Sequence, residues 1–132
     1  MELTKLYAIA EKHGITVDRY DLKENQSVSV NYNGQFFVGI DPTVSGVCEK
    51  VCLAHELGHC ESGSFYNIYS PFDIRGKHER RADAWAIKKL VPKTLLESAL
   101  RHGYTSIYEL SEYFGVTGEF MQKAIEYYKM SN

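Results

Sequence analysis

A basic excess is missing from this chain. Its 132 residues carry 15 Lys and Arg against 17 Asp and Glu, a formal net charge of −2, so the charge balance does not argue for nucleic acid as the main partner. No apolar run approaches the ~18 residues that a membrane-spanning helix needs, and no membrane partner is expected. The first twelve residues, Met-Glu-Leu-Thr-Lys-Leu-Tyr-Ala-Ile-Ala-Glu-Lys, are amphipathic and broken by charge, unlike a secretory signal. Cysteine is scarce and odd in number: Cys48, Cys52 and Cys60 offer no disulfide framework. A cytoplasmic, reduced protein is the expectation. Internal repeats and low-complexity segments are also absent.

What remains is ordinary globular composition. Hydrophobic residues make up 44% and charged residues 24%, with ten Tyr and six Phe. The length predicts one domain over residues 1–132, able to bury roughly two thirds of its unfolded surface.

The central stretch is Cys52-Leu-Ala-His-Glu-Leu-Gly-His-Cys60. Apolar Val47, Val51, Ala54 and Leu57 recur at helical spacing behind Ser45, a plausible N-cap, and predict a helix to about Glu61. On it His55 and His59 lie one turn apart on one face. Two imidazoles so placed hold one metal ion. Glu56, about 100° round the helix, reaches a water beside that ion without occupying a ligand position. Metal-assisted hydrolysis with Glu56 as general base is the chemistry this pattern serves.

A catalytic zinc site ordinarily takes three protein ligands. After His59 the chain offers Glu61, Asp73, His78, Glu79, Asp83 and His102. A lone helical Glu is ordinarily a solvated surface residue. Glu79, however, opens a predicted helix (Glu79–Val91, stopped by Pro92) with Asp83 four residues on. That spacing lets Glu79 bind metal while Asp83 accepts the free ring N–H of a ligating His. Ala82 and Ala86 let this helix approach the first closely. His13 and His102 each precede a Gly at a helix end and read as C-terminal cations. Cys48 and Cys52 fall along the apolar stripe and read as small hydrophobes rather than as a metal site.

Around these two helices, Leu3, Leu6, Tyr7 and Ala10 predict a helix over 2–13, and Ile15–Leu22 reads as extended or irregular. Ser27–Tyr32 and Phe36–Ile40 flank Asn33-Gly34 and predict a hairpin. A two-residue loop would pair Val30 with Phe37. A three-residue loop would gather Val28, Val30, Tyr32, Phe36, Val38 and Ile40 on one face, and this register makes the better core. Residues 62–77 lack any period and read as a loop bordering the site. Thr94–Glu97 and Ser106–Glu109 read as capping boxes of two further helices, and Thr117 caps a last one to about Lys129.

Leu53-Ala-His-Glu-Leu-Gly-His59, followed by Glu79-Arg-Arg-Ala-Asp-Ala-Trp-Ala86 and Leu90-Val-Pro92, resembles the ImmA/IrrE family of metallopeptidases. Trp85 stands where that family more often has Phe, and Cys60-Glu61-Ser62-Gly63 replaces a more apolar continuation. The resemblance implies an α+β fold: a small zincin-like domain, mostly helical, with a short hairpin or sheet packed on the metal helix. It implies zinc held by His55, His59 and Glu79, with Glu56 as catalytic base and Asp83 as support. The same donors accept manganese or iron. It further implies a peptidase of a bacterium, prophage or mobile element that cleaves a helix-turn-helix repressor and so relieves repression. The alternative is a non-catalytic metal-binding module that contacts a repressor or DNA. The tail over 105–130 itself resembles a helix-turn-helix, but Glu109, Glu112, Glu119 and Glu126 against Lys123 and Lys129 would repel phosphate, so it reads as packing or substrate docking. Tyr66, Tyr69 and His78 are alternative oxyanion stabilisers. The Phe36–Ile40 strand is a possible edge for an extended substrate. The oligomeric state has no signal in the sequence.

Overall fold

The N-terminal apolar stripe folds as α1 (Leu3–Lys12), which buries Leu6 and Ala10 and ends at Gly14, whose φ of 69° suits a residue without Cβ. In the computed structural model, which describes residues 1–65 and 71–130, α1 is followed by β1 (Thr16–Arg19), β2 (Ser27–Tyr32) and β3 (Gln35–Ile40). The remaining chain is helical: α2 (Gly46–Ser62), α3 (Phe72–Leu90), α4 (Lys93–Arg101), α5 (Ile107–Phe114) and α6 (Gly118–Met130). This is the expected α+β arrangement, mostly helical with a small sheet against α2.

The sheet runs in the order β1-β3-β2, with β1 parallel and β2 antiparallel to β3. Two sequence expectations change here. The hairpin closes through a two-residue loop, pairing Val30 with Phe37, Val28 with Gly39 and Tyr32 with Gln35. Asn33 and Gly34 both take positive φ, 53° and 82°, the backbone that a primed hairpin turn demands. Turn chemistry therefore overrode the burial argument. Val38 and Ile40 face inward with Ser27 and Ser29 opposite them, while Val30 and Tyr32 are turned to solvent. Second, β3 is central and paired on both sides, so it offers no free edge. The edge strands are β1 and β2, and β2 is the one that borders the cleft described below.

α2 begins behind Ser45 as predicted and ends at Gly63 in the left-handed conformation. Helix α3 starts at Phe72, seven residues before the predicted start at Glu79. Residues 72–77 of the presumed loop are thus helix, and Glu79 sits inside α3 with helical turns on both sides. The central part of that presumed loop, residues 66–70, lies outside the described residues. α2 and α3 meet most closely at Gly58, where an added Cβ would lie 2.4 Å from the Ala82 carbonyl oxygen. The predicted small residues at Ala82 and Ala86 are fully buried at this interface.

The Ser106–Glu109 capping box is formed. The one at Thr94 is not: α4 starts at Lys93 behind Pro92, with no side-chain cap. Thr117 Oγ1 accepts from Phe120 N at the start of α6. The tail contributes Leu110, Phe114, Phe120, Met121 and Ala124 to the same buried cluster as Leu6, Ile40, Leu53 and Leu90. Among the described residues no helix is long and apolar enough to cross a membrane.

Candidate metal centre

Helical spacing puts His55 and His59 on one face of α2, with ring centroids 4.9 Å apart and nearly perpendicular planes. α3 delivers Glu79 opposite them. Its carboxylate oxygens lie 2.9 Å from His55 Nε2 and 3.2 Å from His59 Nε2. Tetrahedral bonds of ~2.0–2.1 Å place neighbouring donor atoms roughly 3.3 Å apart. Glu79 is therefore already at nearly that spacing from each ring, and the donor atoms of all three groups lie within 4.8 Å of one another. Two imidazole nitrogens and a carboxylate fit the ion that the motif implies. Among the described residues this is the one such group of three.

The other ring nitrogens are engaged from behind. His55 Nδ1 lies 2.9 Å from Asp83 Oδ1, as the spacing of Glu79 and Asp83 predicted. His59 Nδ1 donates to the backbone carbonyl of Ser64. Both contacts assign the Nδ1 proton outward and leave Nε2 for the ion. The Ser64 carbonyl had no sequence signature, since a backbone acceptor is independent of residue type. It reaches His59 because Gly63 turns the chain back over the end of α2.

The charges around the two rings explain their protonation. Burial alone would lower the pKa of His55, but hydrogen bonds to Asp83 and Glu79 outweigh it and hold the ring up to about 10. Burial likewise opposes the charge on His59, and hydrogen bonds to Glu79 and the Ser64 carbonyl raise it.

Glu56 is buried on the next face of α2, and its Oε2 accepts from the Ser27 hydroxyl on β2 at 2.7 Å. Glu56, both histidines and Glu79 line a cleft of about 260 Å³ whose other walls are Asn25, Ser27, Val28, Ser29 and Phe65. Phe65 stacks on Phe36 at 5.6 Å, almost parallel, and forms an apolar wall beside His59. Ser27 was missed by sequence reasoning, because an alternating Ser-Val-Ser-Val strand reads as Val inward.

The remaining sequence alternatives lie elsewhere. His13 contacts Glu61 in the last turn of α2, and His102 Nδ1 donates to Ser98 O within α4. Asp73 is exposed in the first turn of α3. His78 is half-buried on α3 and is not among the described residues lining the cleft. Tyr66 and Tyr69 lie outside the described residues. Cys48 is exposed, and Cys52 and Cys60 are buried. Burial pushes the Cys60 thiol up to about 12, which keeps it neutral.

No curated protein matches the chain. A family model does: residues 10–126 match the IrrE N-terminal-like domain. That match takes in the sheet, α2 with its two histidines, and Glu79 and Asp83 of α3, and on it the chain belongs to the peptidase M78 family.

Proposed function

We propose that this chain is a zinc-dependent endopeptidase of the His-Glu-x-x-His type. The convergence of His55, His59 and Glu79 on one point of a cleft, with Glu56 buried beside it, carries the reading. Under it His55, His59 and Glu79 hold the ion, and Asp83 and the Ser64 carbonyl keep both rings turned. A zinc ion there supplies Lewis acidity to a water and to a carbonyl oxygen at its open position. Glu56 takes the proton of the attacking water and returns it to the leaving amine as the C–N bond breaks. An extended substrate segment lies along the open edge of β2, where backbone groups bind it without regard to sequence, and Phe65 meets one of its apolar side chains.

The protein substrate in this proposal is a helix-turn-helix repressor in the cytoplasm, cleaved to relieve repression. That part is supported by the resemblance to ImmA/IrrE peptidases. The experiment is incubation of the zinc-loaded protein with helix-turn-helix repressors, beginning with any encoded beside it, and mass mapping of the fragments. Glu56→Gln should keep the metal and lose cleavage. Cleavage at the parent rate in that variant would refute the mechanism and leave the non-catalytic binding module.

A further inference from the structure

A general base works best when its carboxylate is held still, with one oxygen left for the proton. Glu56 reaches into the cleft from α2, yet its hydrogen bond comes from another element. Ser27 Oγ donates to Oε2 at 2.7 Å, and Glu56 itself is 6% exposed. The hydroxyl is the donor of this bond and the carboxylate oxygen its acceptor.

Ser27 stands on firm backbone. It pairs with Ile40 of the central strand, and next to it Gln26 O accepts from Asp41 N at 2.9 Å. The Cys52 sulfur, one helical turn before Glu56, neighbours both Gln26 and the Ser27 hydroxyl. The inward face of β2 is thus polar at the point where it crosses the base. This is the face that a purely apolar hairpin core would have filled with Val28.

We infer that Ser27 is a positioning residue for Glu56: its hydroxyl fixes Oε2, so that Oε1 is the oxygen presented to the cleft. The inference rests on the peptidase reading above. It concerns the base alone, and predicts that metal binding does not depend on Ser27.

The test uses cobalt-loaded protein and acetohydroxamate, which chelates a metal and shares its acidic proton with a neighbouring carboxylate. Visible absorption reports its binding without any substrate. Ser27→Ala should weaken acetohydroxamate about tenfold, the scale of a hydrogen bond to a charged group, with cobalt affinity unchanged. Ser27→Thr, which keeps the hydroxyl on a strand-favouring side chain, should restore binding. In a Glu56→Gln background the Ser27→Ala change should have no further effect, since the two residues act as one unit. Parent-like acetohydroxamate binding by Ser27→Ala overturns the inference. So does a loss that persists undiminished in the Glu56→Gln background. If the parent protein binds no acetohydroxamate, or Glu56→Gln binds it as well as the parent, the peptidase reading itself falls and takes the inference with it.

Discussion

Replacing Gly58 by alanine sets two calculable effects against each other. In an exposed helix the change stabilises by about 1 kcal/mol through propensity. Here the new Cβ would meet the Ala82 carbonyl oxygen at 2.4 Å, and the Ala82 Cα at 3.0 Å, where ordinary contact begins near 3.4 Å. Both obstacles are backbone, so α3 must retreat by about 1 Å or tilt, an overpacking that costs roughly 1–3 kcal/mol. Glu79 lies one turn before Ala82 and moves with it. Its oxygens, now 2.9 and 3.2 Å from the two Nε2 atoms, would be carried past the spacing that a tetrahedral ion tolerates. Gly58→Ala should therefore lose about 10–100-fold in zinc affinity, as when the support of a metal ligand is removed. The metal-free protein should melt a few degrees lower, about 3 °C per kcal/mol at this size. Competition with a chromophoric zinc chelator measures the first, and a thermal melt in chelator the second. A Gly58→Ala protein that melts higher and binds zinc like the parent would refute the close crossing of α2 and α3.

Removing Asp83's charge with Asp83→Asn should weaken zinc by about 10–100-fold while the fold persists, measured by the same competition. Glu79→Gln should cost more, because it removes a ligand rather than a support. Metal-free stability should depend on pH through His55. Its folded pKa of about 10 exceeds the usual 6.5, so its stabilising contribution is complete below about pH 6.5 and lost as pH rises through 10. Zinc affinity should rise over the same window as the competing proton leaves, and zinc binding at pH 7–8 should release protons. Calorimetry in buffers of different ionisation enthalpy detects that release. Ser106→Ala should cost about 1 kcal/mol by chemical denaturation, since both halves of that capping box are formed.

Most of the helices and the cluster of candidate ligands were legible because both are short-range patterns. His55 and His59 at i and i+4, Glu79 and Asp83 at i and i+4, and the Ser106–Glu109 box each need only one turn of helix to define them. The start of α3 was hidden because Gly76 and the polar residues around it carry no apolar stripe. The hairpin register turned on a competition between an Asn-Gly turn and an apolar face, and the local backbone demand won. Ile15–Leu22 could be read only as extended or irregular because β1, a four-residue parallel strand, takes its definition from β3. Ser64 and Ser27 were invisible for different reasons. One acts through its carbonyl. The other is a small polar residue facing inward, which alternation assigns outward.

Asp83 has two carboxylate oxygens, and they look in opposite directions. One meets His55, and the other lies 3.5 Å from Lys123 on α6, forty residues further along the chain. Nearby, Tyr128 donates to the Val91 carbonyl and Lys50 to that of Phe114. The C-terminal helices are therefore no detachable appendage. A shortened chain that lost α6 would take Phe120 and Met121 out of the core and also strip a cation from the carboxylate beside His55. Loss of α6 should then show first as weakened metal binding at His55, ahead of any change to the residues that face the cleft.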